Sequence, residues 1–172
     1  MSYQDTLLTW HDFYLACAAA SATFAGLLFV ALSLHLQIVV THPEARSLAR
    51  ITLSDYFAVL LVSLFLLTPA GVPQQTGVDL MVIAGVSLAL ITPPSVRGIR
   101  ARRARTLGLG LLISRFGLSM LGCIAVGVLG ALFYLGSTST AFTDLVWIVV
   151  VLLVVAVRNT WDLLVTVADK RQ

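Results

Sequence analysis

Four long segments of this chain contain no Asp, Glu, Lys or Arg, and their length limits the folds open to it. They run from Phe13 to Pro43, Tyr56 to Val78, Leu80 to Val96 and Phe116 to Thr143, and a shorter one runs from Leu145 to Val157. A helix that crosses a bilayer needs about 20 consecutive apolar residues. A transmembrane β-strand instead alternates apolar and polar residues over about 10 positions. The continuous apolar pattern therefore predicts membrane-spanning helices.

The composition excludes an ordinary soluble domain. Hydrophobic residues make up 59% of the chain and charged residues 11%, against about 45–50% and about 25% in soluble proteins. A soluble globule of this length would bury only roughly 70% of its surface and would expose a large apolar area to water. Neither Cys17 nor Cys123 has a spacing typical of a disulfide framework or a metal site. We expect a single all-α, polytopic membrane domain over residues 1–172.

The apolar segments predict five transmembrane helices. Their expected positions are near 11–40, 44–69, 77–95, 107–135 and 141–167. Thr41 and Pro43 are typical of the start of the second span, and Pro69 of its end. The third span is expected to end near Pro93 and Pro94, because proline lacks an N–H donor and disfavours helix in the residue before it.

The basic residues predict how these spans are oriented. With five spans, ten of the eleven Lys and Arg residues fall on one side of the membrane, namely Arg46, Arg50, Arg97, Arg100, Arg102, Arg103, Arg105, Arg158, Lys170 and Arg171. The positive-inside rule places that side in the cytoplasm. We therefore expect the N-terminus outside and the C-terminus in the cytoplasm. The arginines between 97 and 105 are too few and too close to the membrane to indicate nucleic-acid binding; anionic lipid is the expected contact.

Two rows of small residues indicate where helices approach each other closely, as small side chains allow in membranes. The first row consists of Ala18, Ala22 and Gly26, and the second of Ser119, Cys123, Gly127 and Ala131. Either row is able to pack within the chain or to bind a second copy or another membrane protein.

Polar residues at membrane depth form the candidate site, because such groups are costly in hydrocarbon. The expected cluster consists of His35, Asp55, Arg115, Arg158, Asn159 and Asp162. Asp55 is expected roughly 9 Å inside the membrane. One interpretation is a set of ion pairs that fixes helix register, with Asp55 paired to Arg115 or Arg158. A second is a polar cavity or ion path that opens to the cytoplasm. A third has the two arginines reaching the membrane surface without partners.

The sequence lacks the common catalytic signatures. It contains no HExxH zinc motif, GxSxG elbow, phosphate loop or Rossmann glycine pattern, and the expected loops are too short for a catalytic domain. We expect no enzymatic activity, catalytic residue, cofactor or metal.

Two stretches resemble a known family. Residues 10–13, 20–22 and 25–33 (WHDF, ASA and AGLLFVALS) look like the opening of a group of small, uncharacterised bacterial integral membrane proteins. The segment 159–165 (NTWDLLV) is similar to their usual ending. Some members are labelled "modulator of FtsH protease". The resemblance implies a multi-pass protein of the bacterial inner membrane and transfers no catalytic or binding residue.

These observations lead to two functional hypotheses. The first is a non-enzymatic inner-membrane protein that acts through helix–helix interaction on a larger membrane complex, such as a membrane protease. The second is an oligomeric ion channel or small-solute transporter that uses the polar cluster.

Overall fold

A computed structural model describes residues 3–68, 72–102, 109–136 and 141–169 of the chain. Within these ranges, side-chain surroundings are described except at 3–4, 38, 43–44, 93–102, 109–116, 166 and 169. The described residues form six helices and no strand: α1 (Tyr3–Leu34), α2 (Leu36–Thr41), α3 (Pro43–Leu67), α4 (Pro73–Arg102), α5 (Leu109–Tyr134) and α6 (Ala141–Asp169).

Five of these helices are long and apolar enough to cross a membrane. Their apolar stretches are Asp5–Leu34, Ala45–Leu67, Pro73–Thr92, Gly117–Tyr134 and Ala141–Val165. The prediction of an all-α fold with five candidate spans is therefore confirmed for the described residues.

The first span lies earlier in the chain than the predicted 11–40. α1 already begins at Tyr3 and ends at Leu34, and the short α2 follows after a turn at His35. At this turn the His35 N–H bonds to the Leu32 carbonyl, a spacing of three residues instead of the four of an α-helix. A charge-free run defines which residues tolerate lipid, but it does not locate the break of a helix inside that run.

The third span ends where the two prolines were expected to end it, but its helix continues past them. α4 runs through Pro93 and Pro94 to Arg102, while its apolar stretch ends at Thr92. Each proline removes one backbone hydrogen bond. The carbonyl groups that lose these bonds are those of Ala89 and Leu90, in the last turn of the apolar stretch.

α3 is the centre of the bundle, with α1, α4 and α6 packed around it and α5 against α4 and α6. Two apolar clusters show that successive spans alternate in direction. One cluster, around Phe133, joins the starts of α1, α4 and α6 to the ends of α3 and α5. The other, around Leu163, joins the ends of α1 and α6 to the start of α3. We call this second end of the bundle the basic end, because Arg46, Arg50 and the arginines of α4 lie there.

α4 and α5 share the largest helix–helix interface, and two glycines bring their backbones together. A Cβ added at Gly77 would lie 2.6 Å from the Gly130 carbonyl oxygen and 2.6 Å from the Tyr134 nitrogen. A Cβ added at Gly130 would lie 2.8 Å from the Gly77 carbonyl oxygen. Only glycine fits at either position, and the two helices are in direct backbone contact there.

Candidate functional site: a buried polar layer

Asp55 lies in the interior of the bundle and bonds to α5. Its side chain is fully buried, and the Ser119 hydroxyl donates a hydrogen bond of 2.6 Å to Asp55 Oδ2. Asp55 is about 15 Å along α3 from Ala45, by the rise of an α-helix, and therefore near the middle of the apolar stretch Ala45–Leu67. This position is deeper than the sequence-based estimate, which took the boundary of the span closer to Asp55.

Asn159 brings α6 to the same carboxyl group. Its side chain is 1% exposed and faces Asp55. The two groups are near enough to interact electrostatically but are not in hydrogen-bond geometry, since Asp55 Oδ1 and Asn159 Nδ2 both lack a hydrogen-bond partner. Asp55, Ser119 and Asn159 together form what we call the polar layer, which joins α3, α5 and α6.

The polar layer is dry. Asp55 and Ser119 are 0% exposed and Asn159 is 1% exposed, so no water-sized space lies against the carboxyl group. Ile51, one turn before Asp55, and Cys123, one turn after Ser119, form an apolar cluster with Ile91 of α4. An arrangement of this kind is typical of a buried hydrogen-bonded contact between helices, and a hydrated ion path would require accessible surface on these groups.

Tyr56, the next residue of α3, makes the contacts to α1 and α6. Its hydroxyl lies 2.9 Å from the Thr160 hydroxyl, and its carbonyl accepts a 2.6 Å hydrogen bond from the Ser21 hydroxyl of α1. Its ring stacks on Phe24 at a centroid distance of 5.9 Å. Adjacent residues on a helix point about 100° apart. Asp55 links α3 to α5 and Tyr56 links it to α1, and both residues also face α6 at this level.

His35 does not belong to this level, contrary to the prediction. Ser21 is the α1 residue opposite Tyr56, and His35 is 14 residues further along, about 20 Å by the helical rise. The prediction failed because it took the first span as one helix over 11–40, whereas α1 ends at Leu34.

The predicted ion pair between Asp55 and Arg158 is absent. Arg158 is exposed on the outside of α6, and among the described side chains no Lys, Arg or His lies within ion-pair distance of Asp55. The adjacent Asn159 is the residue that points inward. Asp162 is half-buried one turn beyond Arg158, and its pairing with Arg158 stays a prediction. Arg115 lies within α5, but its side chain is outside the described part of the chain.

The two rows of small residues have different surroundings. In the α5 row, Ser119 and Cys123 are buried. Gly127 packs against α4, since a Cβ added at Gly127 would lie 3.3 Å from the Cβ of Ala84. Ala131 is half-buried. This row packs within the chain.

In the α1 row only Ala18 is buried. Ala22 and Gly26 are exposed, and a Cβ added at Gly26 would meet no atom within 4 Å. The face of α1 that enters the interior is the neighbouring one, with Cys17, Ser21, Ala25 and Leu28.

The sequence analysis identified Asp55, the central residue of the polar layer, but it did not identify most of the hydrogen-bonding groups around it. Ser119 was recognised only as a packing residue, and Tyr56, Thr160 and Ser21 were not singled out as hydrogen-bonding groups. Their positions in the sequence could have indicated two of them, because Tyr56 directly follows Asp55 and Thr160 directly follows Asn159.

No protein-family model, curated protein or solved structure matches this chain. The resemblance to small bacterial membrane proteins stays a prediction. Within the described residues, no group of three or more His, Cys, Asp or Glu side chains could hold a metal ion.

Proposed function

We propose that this protein is a non-enzymatic, multi-pass protein of the bacterial inner membrane that acts by helix–helix interaction through the outer face of α1. The partner is a second copy of the chain or a larger membrane complex. The resemblance at residues 10–33 and 159–165 supports a membrane protease as such a complex.

The observation that carries this proposal is the exposed, small-residue face of α1. Only 28% of the most apolar stretch of α1 is buried, against 56% for α3. Ala22 and Gly26 lie on the exposed part, with open space around Gly26. Small side chains contribute little contact with lipid, but they let a second helix approach closely. The face is therefore suited to a helix outside this chain.

We further propose that the basic end of the bundle faces the cytoplasm. The alternating helices bring Arg46, Arg50 and the arginine-bearing end of α4 to one end. Basic residues favour the cytoplasmic side of a bacterial membrane. The N-terminus is then outside and the C-terminus inside, and the arginines of α4 are near anionic lipid headgroups.

Replacing Gly26 with Leu tests the proposed surface. We expect the variant to fold normally, because no atom lies within 4 Å of the added Cβ. Its association should weaken by about fivefold or more, which corresponds to about 1 kcal/mol of lost packing. The measurement is fluorescence energy transfer between two differently labelled copies in lipid vesicles, together with co-purification of a membrane complex in mild detergent.

Gly85→Leu on α4 is the matched control, because Gly85 is also exposed and also has open space around its Cβ. The proposal predicts normal association for this control. It is contradicted if the native chain neither self-associates nor retains a membrane partner, or if Gly26→Leu and Gly85→Leu behave alike.

The alternative of an oligomeric channel or transporter has weaker support. It requires Asp55 to contact water or an ion along a path, and the carboxyl group has no accessible surface. Arg158 and His35, the other groups expected on such a path, are at the surface of α6 and beyond the end of α1.

A further inference from the structure

The packing around Asp55 bears on whether its carboxyl group is ionised, and this inference does not depend on the proposed function. The carboxyl group is fully buried and accepts one hydrogen bond, from Ser119. Its second oxygen, Oδ1, has no hydrogen-bond partner. An ionised carboxylate in an apolar interior requires a cation or several hydrogen bonds to replace the water that it has lost. The described surroundings of Asp55 offer one hydrogen bond and no cation.

The groups that face Asp55 from each neighbouring helix do not supply this charge. α5 contributes Ser119 and the Cys123 thiol. α6 contributes the neutral Asn159 amide, while the adjacent Arg158 is exposed. On α3 the Tyr56 hydroxyl is directed to Thr160.

Among the described side chains of α4 and α1, no titratable group contacts Asp55. On α4, Ile91 packs with Ile51 and Cys123. α1 contributes Ser21, which bonds to the Tyr56 backbone. Arg115 is one turn before Ser119, and its side chain lies outside the described part of the chain; the variant Arg115→Gln therefore belongs to the test.

A bound metal cation does not fit as the partner of an ionised Asp55 carboxylate. Asp55, Ser119 and Asn159 have almost no accessible surface, so no space for a hydrated ion lies between them. A proton is the one cation that needs no additional volume. A protonated Oδ1 is a hydrogen-bond donor, and the Asn159 amide that faces Asp55 carries a carbonyl acceptor.

We propose that Asp55 is a proton-binding site, whose carboxyl group is neutral while α3, α5 and α6 are packed together. Release of the proton leaves a carboxylate that is stable only in contact with water. Proton release and separation of these helices are therefore coupled, and the polar layer links the packing of the bundle to protonation.

Infrared spectroscopy of the full-length protein in lipid vesicles at neutral pH tests this proposal. The native protein is expected to have the carbonyl-stretching band of a protonated carboxyl group, and Asp55→Asn is expected to lose it. Asp12→Asn is the control and should keep the band, because the Asp12 side chain is 99% exposed. A native spectrum without this band, or a band that persists in Asp55→Asn, overturns the proposal.

Thermal unfolding of the same variants gives an independent measure of the charge. Asn resembles the neutral acid in shape and hydrogen bonding, so Asp55→Asn should melt within about 2–4 °C of the native protein. Arg115→Gln should also leave the infrared band unchanged. If Asp55→Asn fails to fold or melts as low as Asp55→Ala, or if Arg115→Gln alters the band, then Asp55 is an ionised partner of an arginine and the proposal is wrong.

Discussion

Replacing Gly77 with Ala is expected to lower the free energy of unfolding by about 3 kcal/mol or more, at the upper end of the range for overpacked interiors. The added methyl group would lie 2.6 Å from the Gly130 carbonyl oxygen and 2.6 Å from the Tyr134 nitrogen. Both are backbone atoms of α5, which cannot move aside as a side chain does. Relief requires α4 and α5 to separate along their interface. Thermal unfolding of the purified protein in mild detergent measures the loss.

Gly85→Ala is the matched control on the same helix, because its added Cβ meets no atom within 4 Å. Alanine favours helix over glycine by about 1 kcal/mol, so this control should be as stable as the native protein or slightly more stable. Gly122→Ala should be intermediate, because its Cβ meets the flexible side chain of Leu152 instead of backbone. Equal stabilities for Gly77→Ala and Gly85→Ala would show that α4 and α5 are not in backbone contact.

Replacing Asp55 with Ala is expected to cost about 2–4 kcal/mol of folding stability. The change leaves the buried Ser119 hydroxyl without its acceptor and opens a cavity at a fully buried position. An unsatisfied buried polar group costs about 1–3 kcal/mol, and truncation of a packed side chain adds a cavity cost. Thermal or denaturant unfolding in detergent measures the effect.

Asp12→Ala is the control for loss of a carboxylate, because the Asp12 side chain is 99% exposed. Its effect should stay within about 0.5 kcal/mol. The double variant Asp55→Ala with Ser119→Ala should lose less than the sum of the two single variants, since both remove the same hydrogen bond. Additive losses, or a native-like Asp55→Ala, would mean that the polar layer does not hold α3 and α5 together.

The sequence was sufficient to find the spans and the central residue of the candidate site. An apolar run long enough to cross a bilayer leaves few folds other than a helix, which is why five spans were predicted. Asp55 was found because an ionisable residue inside such a run is costly and therefore conspicuous.

The partners of Asp55 could not be predicted, because they depend on the rotation of each helix about its axis. Ser21 and Ala22 are adjacent on α1, yet Ser21 is buried and Ala22 is exposed. Arg158 and Asn159 differ in the same way on α6. Neighbouring residues differ by about 100°, and an apolar helix with lipid on one side gives little periodic signal to fix that angle.

The positions of the helix ends were the second feature that could not be predicted from the sequence. His35 was assigned to the polar cluster because the first apolar run extends to Pro43, whereas α1 ends at Leu34. α4 continues through Pro93 and Pro94 although proline disfavours helix. In both regions the helix boundary depends on local backbone hydrogen bonds that residue type alone does not determine. Gly77 and Gly130 were missed for a related reason, because their close contact requires the register between α4 and α5.

The topology of the chain is the most direct test of this account, because the proposed orientation of the basic end depends on an odd number of crossings. Reporters that are active in only one compartment can be fused separately at Met1 and at Gln172 in a bacterial host. We predict that the reporter at Met1 is on the outer side of the membrane and the one at Gln172 is in the cytoplasm. Both reporters on the same side would contradict the five-span arrangement, and an exchange of the two sides would contradict the proposed orientation.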